Sequence, residues 1–236
     1  MSERFSASRA GRLIQCPGSA HLELSIPGWV PPVEDDTKGM KGRGKILHEF
    51  MEIATQLPLA DQRNLIKAMQ YVLDVRKGHR FTALTEAKTT ADWLKSKPTT
   101  TVDLVLYNNQ EIHVIDHKFG AIPVEVVGNE QLMFYAACFQ HLAPKAAGVH
   151  IHICQPAADN MVEHFVTRHE LYEFMIMARE AEDRVIALDT TLSPSDHCKF
   201  CPAYPHSRGD KGKPLCPAAM KLLYPMPFNE DDILSL

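Results

Sequence analysis

The sequence predicts an α/β protein with a central mixed β-sheet flanked by helices, plus a region at both chain ends that needs something other than a hydrophobic core to order it. Three observations carry this expectation. Helical periodicity brackets a run of β-rich segments between residues 81 and 119, and two more β-rich segments follow a further helical stretch, between 149 and 166. The ends differ from the middle: residues 1–44 and 193–227 are rich in Pro, Gly, Cys and charge and poor in periodicity, so a hydrophobic core alone does not order them.

Elements follow in chain order. Cys-Pro-Gly-Ser at 16–19 and Trp-Val-Pro-Pro at 29–32 are loop chemistry. From Lys45, residues Ile46, Phe50, Ile53 and Leu57 recur at helical spacing, with His48, Glu52 and Thr55 on the other face. A second helix is expected over 61–77, with Leu65, Met69, Val72 and Leu73 inward and Gly78 as its stop. Strands are expected at 81–90, 101–107 and 111–119, the last two joined by a turn at Asn108-Asn109. A helix over 129–142, strands at 149–154 and 162–166, and a long helix over 169–188 complete the core. The stripe of that last helix is Leu171, Phe174, Met175, Ala178 and Val185. The chain thus divides into an N-terminal segment (1–44), a core (45–188) and a cysteine-rich C-terminal segment (189–236).

Composition narrows the function classes. A chain of 236 residues with 45% hydrophobic and 23% charged content is neither disordered nor fibrous. A net charge of −4 excludes a histone-like polycation but leaves room for a local basic groove. No apolar core follows Met1, and the segment 142–153 is broken by Pro144, Lys145, His150 and His152, so a soluble cytoplasmic protein is expected, with no membrane partner. Six cysteines are too few for a disulfide scaffold, and in a reducing compartment clustered ones read as metal ligands.

Along the strand from Ile112, alternation puts Ile112, Val114, Asp116 and Lys118 on one face. A hairpin at Asn108-Asn109 brings Asp103 beside Asp116, giving two carboxylates and a lysine. Like charges that close repel unless a cation lies between them, and an open oxygen site suits Mg²⁺ or Mn²⁺.

Asp103 with Ile115-Asp116-His117-Lys118 resembles the PD-(D/E)xK nuclease signature. Gly44-Lys45-Ile46-Leu47-His48-Glu49 resembles the upstream histidine motif of the RecB-like branch, and Gln131-Leu132-Met133-Phe134-Tyr135 its downstream Q-x-x-x-Y motif. The resemblance implies a restriction-endonuclease-like core and hydrolysis of DNA phosphodiesters, as an exonuclease, in recombination, repair or phage DNA metabolism. By the same resemblance Asp103, Asp116, His48 and the His117 backbone carbonyl are metal ligands. Lys118 positions or deprotonates the attacking water, and Gln131 and Tyr135 contact DNA or orient the lysine. Glu86 is a candidate supporting carboxylate. The His117 side chain, on the opposite strand face, is expected to be structural or solvent-facing. DNA is the expected partner, with recombination or replication proteins beyond it; oligomeric state is left open.

Cys198-x-x-Cys201 has metal-knuckle spacing, Cys216 follows a Gly/Pro-rich loop, and Cys16 lies before the core. In RecB-like nucleases of the four-cysteine CRISPR-associated and AddB types, such a set binds a [4Fe–4S] cluster, which the resemblance implies for Cys16, Cys198, Cys201 and Cys216. Zinc is the alternative, with His206 or His197 as a further ligand. Cys138 and Cys154 have apolar neighbours and read as core residues. Lys38, Lys41, Arg43 and Lys45, interleaved with glycines, are candidate phosphate contacts. The acidic and then apolar tail at 229–236 reads as a frayed end, a partner peptide or a flap over a basic groove.

Overall fold

The structure is a computed structural model that describes residues 7–24, 58–203 and 216–218. The sheet is organised by one turn. Asn108 Oδ1 accepts from the backbone N–H groups of Gln110 (2.8 Å) and Glu111 (2.9 Å), a side-chain mimic of a backbone turn. That turn locks β2 (Thr99–Tyr107) antiparallel to β3 (Ile112–His117), with Leu104 opposite Ile115 and Tyr107 opposite Ile112. On the other side of β2 lies β1 (Thr82–Thr90), also antiparallel.

A parallel neighbour for β3 requires a crossover, and α4 (Glu130–Phe139) supplies it before β4 (Gly148–Gln155). β5 (Asn160–Thr167) then closes the antiparallel far edge, giving the order β1-β2-β3-β4-β5. The mixed sheet with flanking helices is the α/β architecture the sequence predicts. Every residue of β3 is buried, as expected of a central strand covered on both faces.

Helix α3 (Leu59–Val75) covers the face that carries Leu104, Leu106, Ile115 and Cys154. It meets them through Ala68, Tyr71, Val72 and Val75. Leu65 is 1% exposed as expected, but Met69 and Leu73 are 47% and 58% exposed, correcting their inward assignment. The seam runs instead along the small Ala68, which lets the helix lie close to the sheet. Helix α4 covers the opposite face, and its cap is local: Asn129 Oδ1 accepts from Leu132 N–H at 3.1 Å. Trp93 wedges between Phe134 of α4 and Phe174 of α5 (Arg168–Ile186). Leu171, Phe174 and Ala178 form the buried stripe expected of α5, and Cys138 and Cys154 are buried among apolar neighbours.

The chain packs as two compact units, Met1–Ala10 with Val30–Arg179, and Gly11–Trp29 with Glu180–Leu236. The second unit holds the turn between α1 (Ala7–Gln15) and α2 (Gly18–Leu24), where loop chemistry alone was expected. Both helices are short and separated by Pro17, too brief for periodicity to declare them. Gly18 sits where its N–H meets Thr191 O at 3.1 Å, and a Cβ there would lie 2.6 Å from that oxygen. A salt bridge joins the buried Arg12 and Glu23, and Arg12 also donates to Ser19 Oγ at 2.9 Å.

Candidate active site

The β2–β3 register sets the site. One step beyond the Leu104–Ile115 pair, Asp103 falls opposite Asp116, on the sheet face away from α3. The β1–β2 register carries the row on to Glu86, which stands opposite Asp103 between the pairs Thr85–Leu104 and Ala87–Val102. Glu86 has φ of 46°, a left-handed conformation that costs a non-glycine residue about 1 kcal/mol.

Asp103 Oδ2 accepts the His117 backbone N–H at 2.6 Å, which fixes its carboxylate against the end of β3. Asp116 is 4% exposed, and its Oδ2 lies 2.8 Å from Lys118 Nζ in an ion pair. Burial, then the charge of Asp116, pushes the Asp103 carboxyl up to about 8, against the opposing pull of the His117 N–H and the Lys118 ammonium. The pair therefore resists carrying two negative charges.

Lys118 also faces Gln131 Oε1 at 3.4 Å, and Gln131 Nε2 donates to the Tyr135 hydroxyl at 2.7 Å. An ammonium can only donate, so the amide carbonyl must face Lys118 and its NH₂ must face Tyr135. Tyr135 thus fixes which way Gln131 points, and Gln131 in turn steadies the lysine. Burial, then Asp116, raises the Tyr135 phenol well above its usual range, so the hydroxyl keeps its proton. The Thr100 side chain also hydrogen-bonds that hydroxyl, a contact with no signature in the sequence.

Asp103, Asp116, Lys118, Gln131 and Tyr135 are thus brought together. His48, Lys38, Lys41, Arg43 and Lys45 lie outside the described residues, as do the 44–49 motif, His206 and the acidic tail. The His117 side chain is 3% exposed and stacks on Phe119, so of its two expected fates it takes the structural one.

On the α3 face lies a network that sequence reasoning missed. Tyr71 OH meets His152 Nδ1 at 2.9 Å, His152 Nε2 meets His113 Nδ1 at 3.0 Å, and His113 Nε2 faces Glu111 Oε1 at 3.4 Å. The Glu111 carboxylate beside His113 Nε2 favours a proton on that nitrogen, the tautomer in which His113 Nδ1 accepts from His152 and His152 Nδ1 accepts from Tyr71. Burial, then His113 and His150, pushes His152 down to about 3, and burial with His150 lowers His113.

In the second unit, Cys16, Cys198, Cys201 and Cys216 are buried and line one pocket with His197, Ser19, Leu22, Leu192 and Pro194. His197 Nδ1 is held by Gln15 Oε1 at 2.8 Å. Among the described residues, no three His, Cys, Asp or Glu side chains converge on a position for a single metal ion. No described helix is long and apolar enough to cross a membrane.

A family model described as "Protein of unknown function (DUF2800)" matches residues 65–234. The chain belongs to this family. The match includes Asp103, Asp116, Lys118, Gln131, Tyr135 and three of the four pocket cysteines. Among solved structures, the chain is similar to SSO0001, at 17% identity over 81% of each chain with a TM-score of 0.40. It is also similar to a Eubacterium rectale protein named "Putative exonuclease", at 15% identity over 93% of this chain and 80% of that one, with a TM-score of 0.41. No curated protein matches.

Proposed function

We propose that this DUF2800 protein is a metal-dependent deoxyribonuclease of the PD-(D/E)xK superfamily, RecB-like branch, that hydrolyses DNA phosphodiesters as an exonuclease. The observation that carries the reading is the convergence of Asp103, Asp116 and Lys118 on one sheet face, with Gln131 and Tyr135 behind the lysine. Two facing carboxylates, one of them pushed up to about 8, fit a divalent cation that would relieve their repulsion. Asp103 and Asp116 would hold Mg²⁺ or Mn²⁺, with His48 and the His117 carbonyl as further ligands, and the ion would supply Lewis-acid stabilisation of charge on the phosphoryl oxygens.

The chain's own residues do the rest. The His117 N–H aims Asp103, and Lys118 directs the attacking water and offsets charge as the phosphorus becomes five-coordinate. Gln131 and Tyr135 hold that ammonium in place.

For the cysteines, four buried thiols lining one pocket would suit a [4Fe–4S] cluster, with zinc as the alternative occupant. Such a cluster would tie the two ends of the second unit together. Its proposed role is structural.

Labelled DNA with Mn²⁺ tests the site: wild type degrades it, while Asp116→Ala and Lys118→Ala lose at least ~100-fold in rate. Equal degradation by all three proteins, or none by wild type, overturns the assignment. A colourless anaerobic preparation with stoichiometric zinc and no iron overturns the cluster.

A further inference from the structure

Among the described side chains, Arg12 is the only lysine or arginine that is buried, and it is buried beside the cysteine pocket. Its guanidinium donates to Ser19 Oγ at 2.9 Å, and Ser19 lines that pocket with Cys16, Cys198, Cys201 and Cys216. The Arg12 carbonyl accepts the Cys16 N–H at 2.7 Å, one helical turn on, and the Cys16 carbonyl accepts the Ser19 N–H at 3.0 Å. From α2, the Glu23 carboxylate, 4% exposed, pairs with the guanidinium. One short turn of chain thus fixes a cation, a thiol and a hydroxyl together, with a carboxylate on the cation.

Stability alone does not account for the arrangement. Two buried charges of opposite sign hold helices together no better than two apolar side chains of the same size, because each gives up its hydration. What the pair supplies is charge next to the thiols. The Arg12 and Glu23 charges both act on Cys201 through space, with opposite signs, and the Arg12 charge acts the more strongly. Four thiolates around either [4Fe–4S]²⁺ or Zn²⁺ leave two net negative charges on a buried centre. A cation beside a thiolate ligand offsets that charge, and the local net charge is one of the quantities that set a cluster's reduction potential. The sign is the same for either occupant.

We infer that Arg12 is the counter-charge of the metal centre in the cysteine pocket and that Glu23 attenuates it, so that the pair sets how readily the centre takes up an electron and how firmly the metal is held. The inference rests on the metal-centre reading of the four cysteines and names the side chains that tune that centre. It does not depend on the nuclease reading.

The experiment titrates the anaerobically purified full chain with dithionite as one-electron donor and follows the EPR signal of the reduced cluster. Wild type is compared with Glu23→Gln and Arg12→Leu/Glu23→Leu, each checked for equal iron content. Glu23→Gln removes the carboxylate charge and keeps the cation, and is expected to raise the ratio of reduced to oxidised cluster about tenfold at a fixed potential, about 59 mV upward. The double variant removes both charges and is expected to lower that ratio about threefold, because the stronger of the two charges is lost. A role in packing alone cannot move the two variants in opposite directions. Shifts of the same sign, or none, overturn the inference. If Glu23→Gln does not fold, the double variant decides by itself, and an unchanged potential overturns the inference. If the protein holds zinc and no iron, the cluster reading fails, and zinc transfer to a colorimetric chelator decides the counter-charge. Transfer is then expected to be about tenfold slower from Glu23→Gln and about threefold faster from the double variant, and equal rates overturn it. A preparation with neither metal overturns the metal-centre reading and the inference together.

Discussion

His152 has no exposed surface, and its ring is enclosed by Tyr71, His113 and the stacked ring of His150 on His113. Its folded-state value of about 3 lies well below its ordinary 6.5. The unfolded chain therefore binds a proton that the folded chain refuses, and stability present above pH 6.5 is lost as the pH falls toward 3. At pH 5 that loss is about 2 kcal/mol relative to pH 7, or roughly 4–8 °C in Tm for a chain of this size. Thermal melts at pH 7 and pH 5, followed by the fluorescence of Trp93 beside Phe134 in the same unit, read it. His152→Gln keeps a neutral hydrogen-bonding side chain between Tyr71 and His113 but does not titrate. It is expected to start lower at pH 7 yet fall less on acidification, the gap between the two falls being about 4–8 °C. Parallel falls in the two proteins would refute the reasoning.

Other outcomes follow from single contacts. Gly18→Ala pushes a Cβ into the Thr190 and Thr191 carbonyls and should cost the second unit about 1–3 kcal/mol in urea melts. Arg12→Leu removes the guanidinium from the buried Glu23 carboxylate and should cost about 3–5 kcal/mol, and Arg12→Leu/Glu23→Leu should recover much of that loss in the same melts. Glu86→Gly relieves the left-handed backbone in β1 and should raise Tm while lowering Mn²⁺-dependent cleavage. A rise in both would assign Glu86 no part in the site.

What could be read in advance depended on how far apart in the chain the partners lie. Asp103 and Asp116 were legible because one tight turn at Asn108 fixes their register, and Gln131 with Tyr135 because one helical turn separates them. The histidine network was not, because His113 meets His152 only through the parallel β3–β4 pairing, whose register no local signal announces. Gln155 was invisible for a related reason: it acts on a loop more than thirty residues earlier, and one glutamine in an apolar strand carries no pattern. The Met69 and Leu73 assignment went astray because helical period marks a stripe without saying which of two adjacent stripes meets the sheet. Ala68, small enough to let the backbones approach, made that choice.

The pocket that gathers Cys16 with Cys198, Cys201 and Cys216 has a consequence for biogenesis. Cys16 leaves the ribosome well before its pocket partners are translated. At about 5–20 residues per second, the first thiol waits on the order of ten seconds or more for them. Through that interval the pocket has only one of its four sulfurs, so any centre that uses all four is assembled only once Cys216 has emerged, and a nascent Cys16 depends on the reducing capacity of its surroundings to arrive as a thiol.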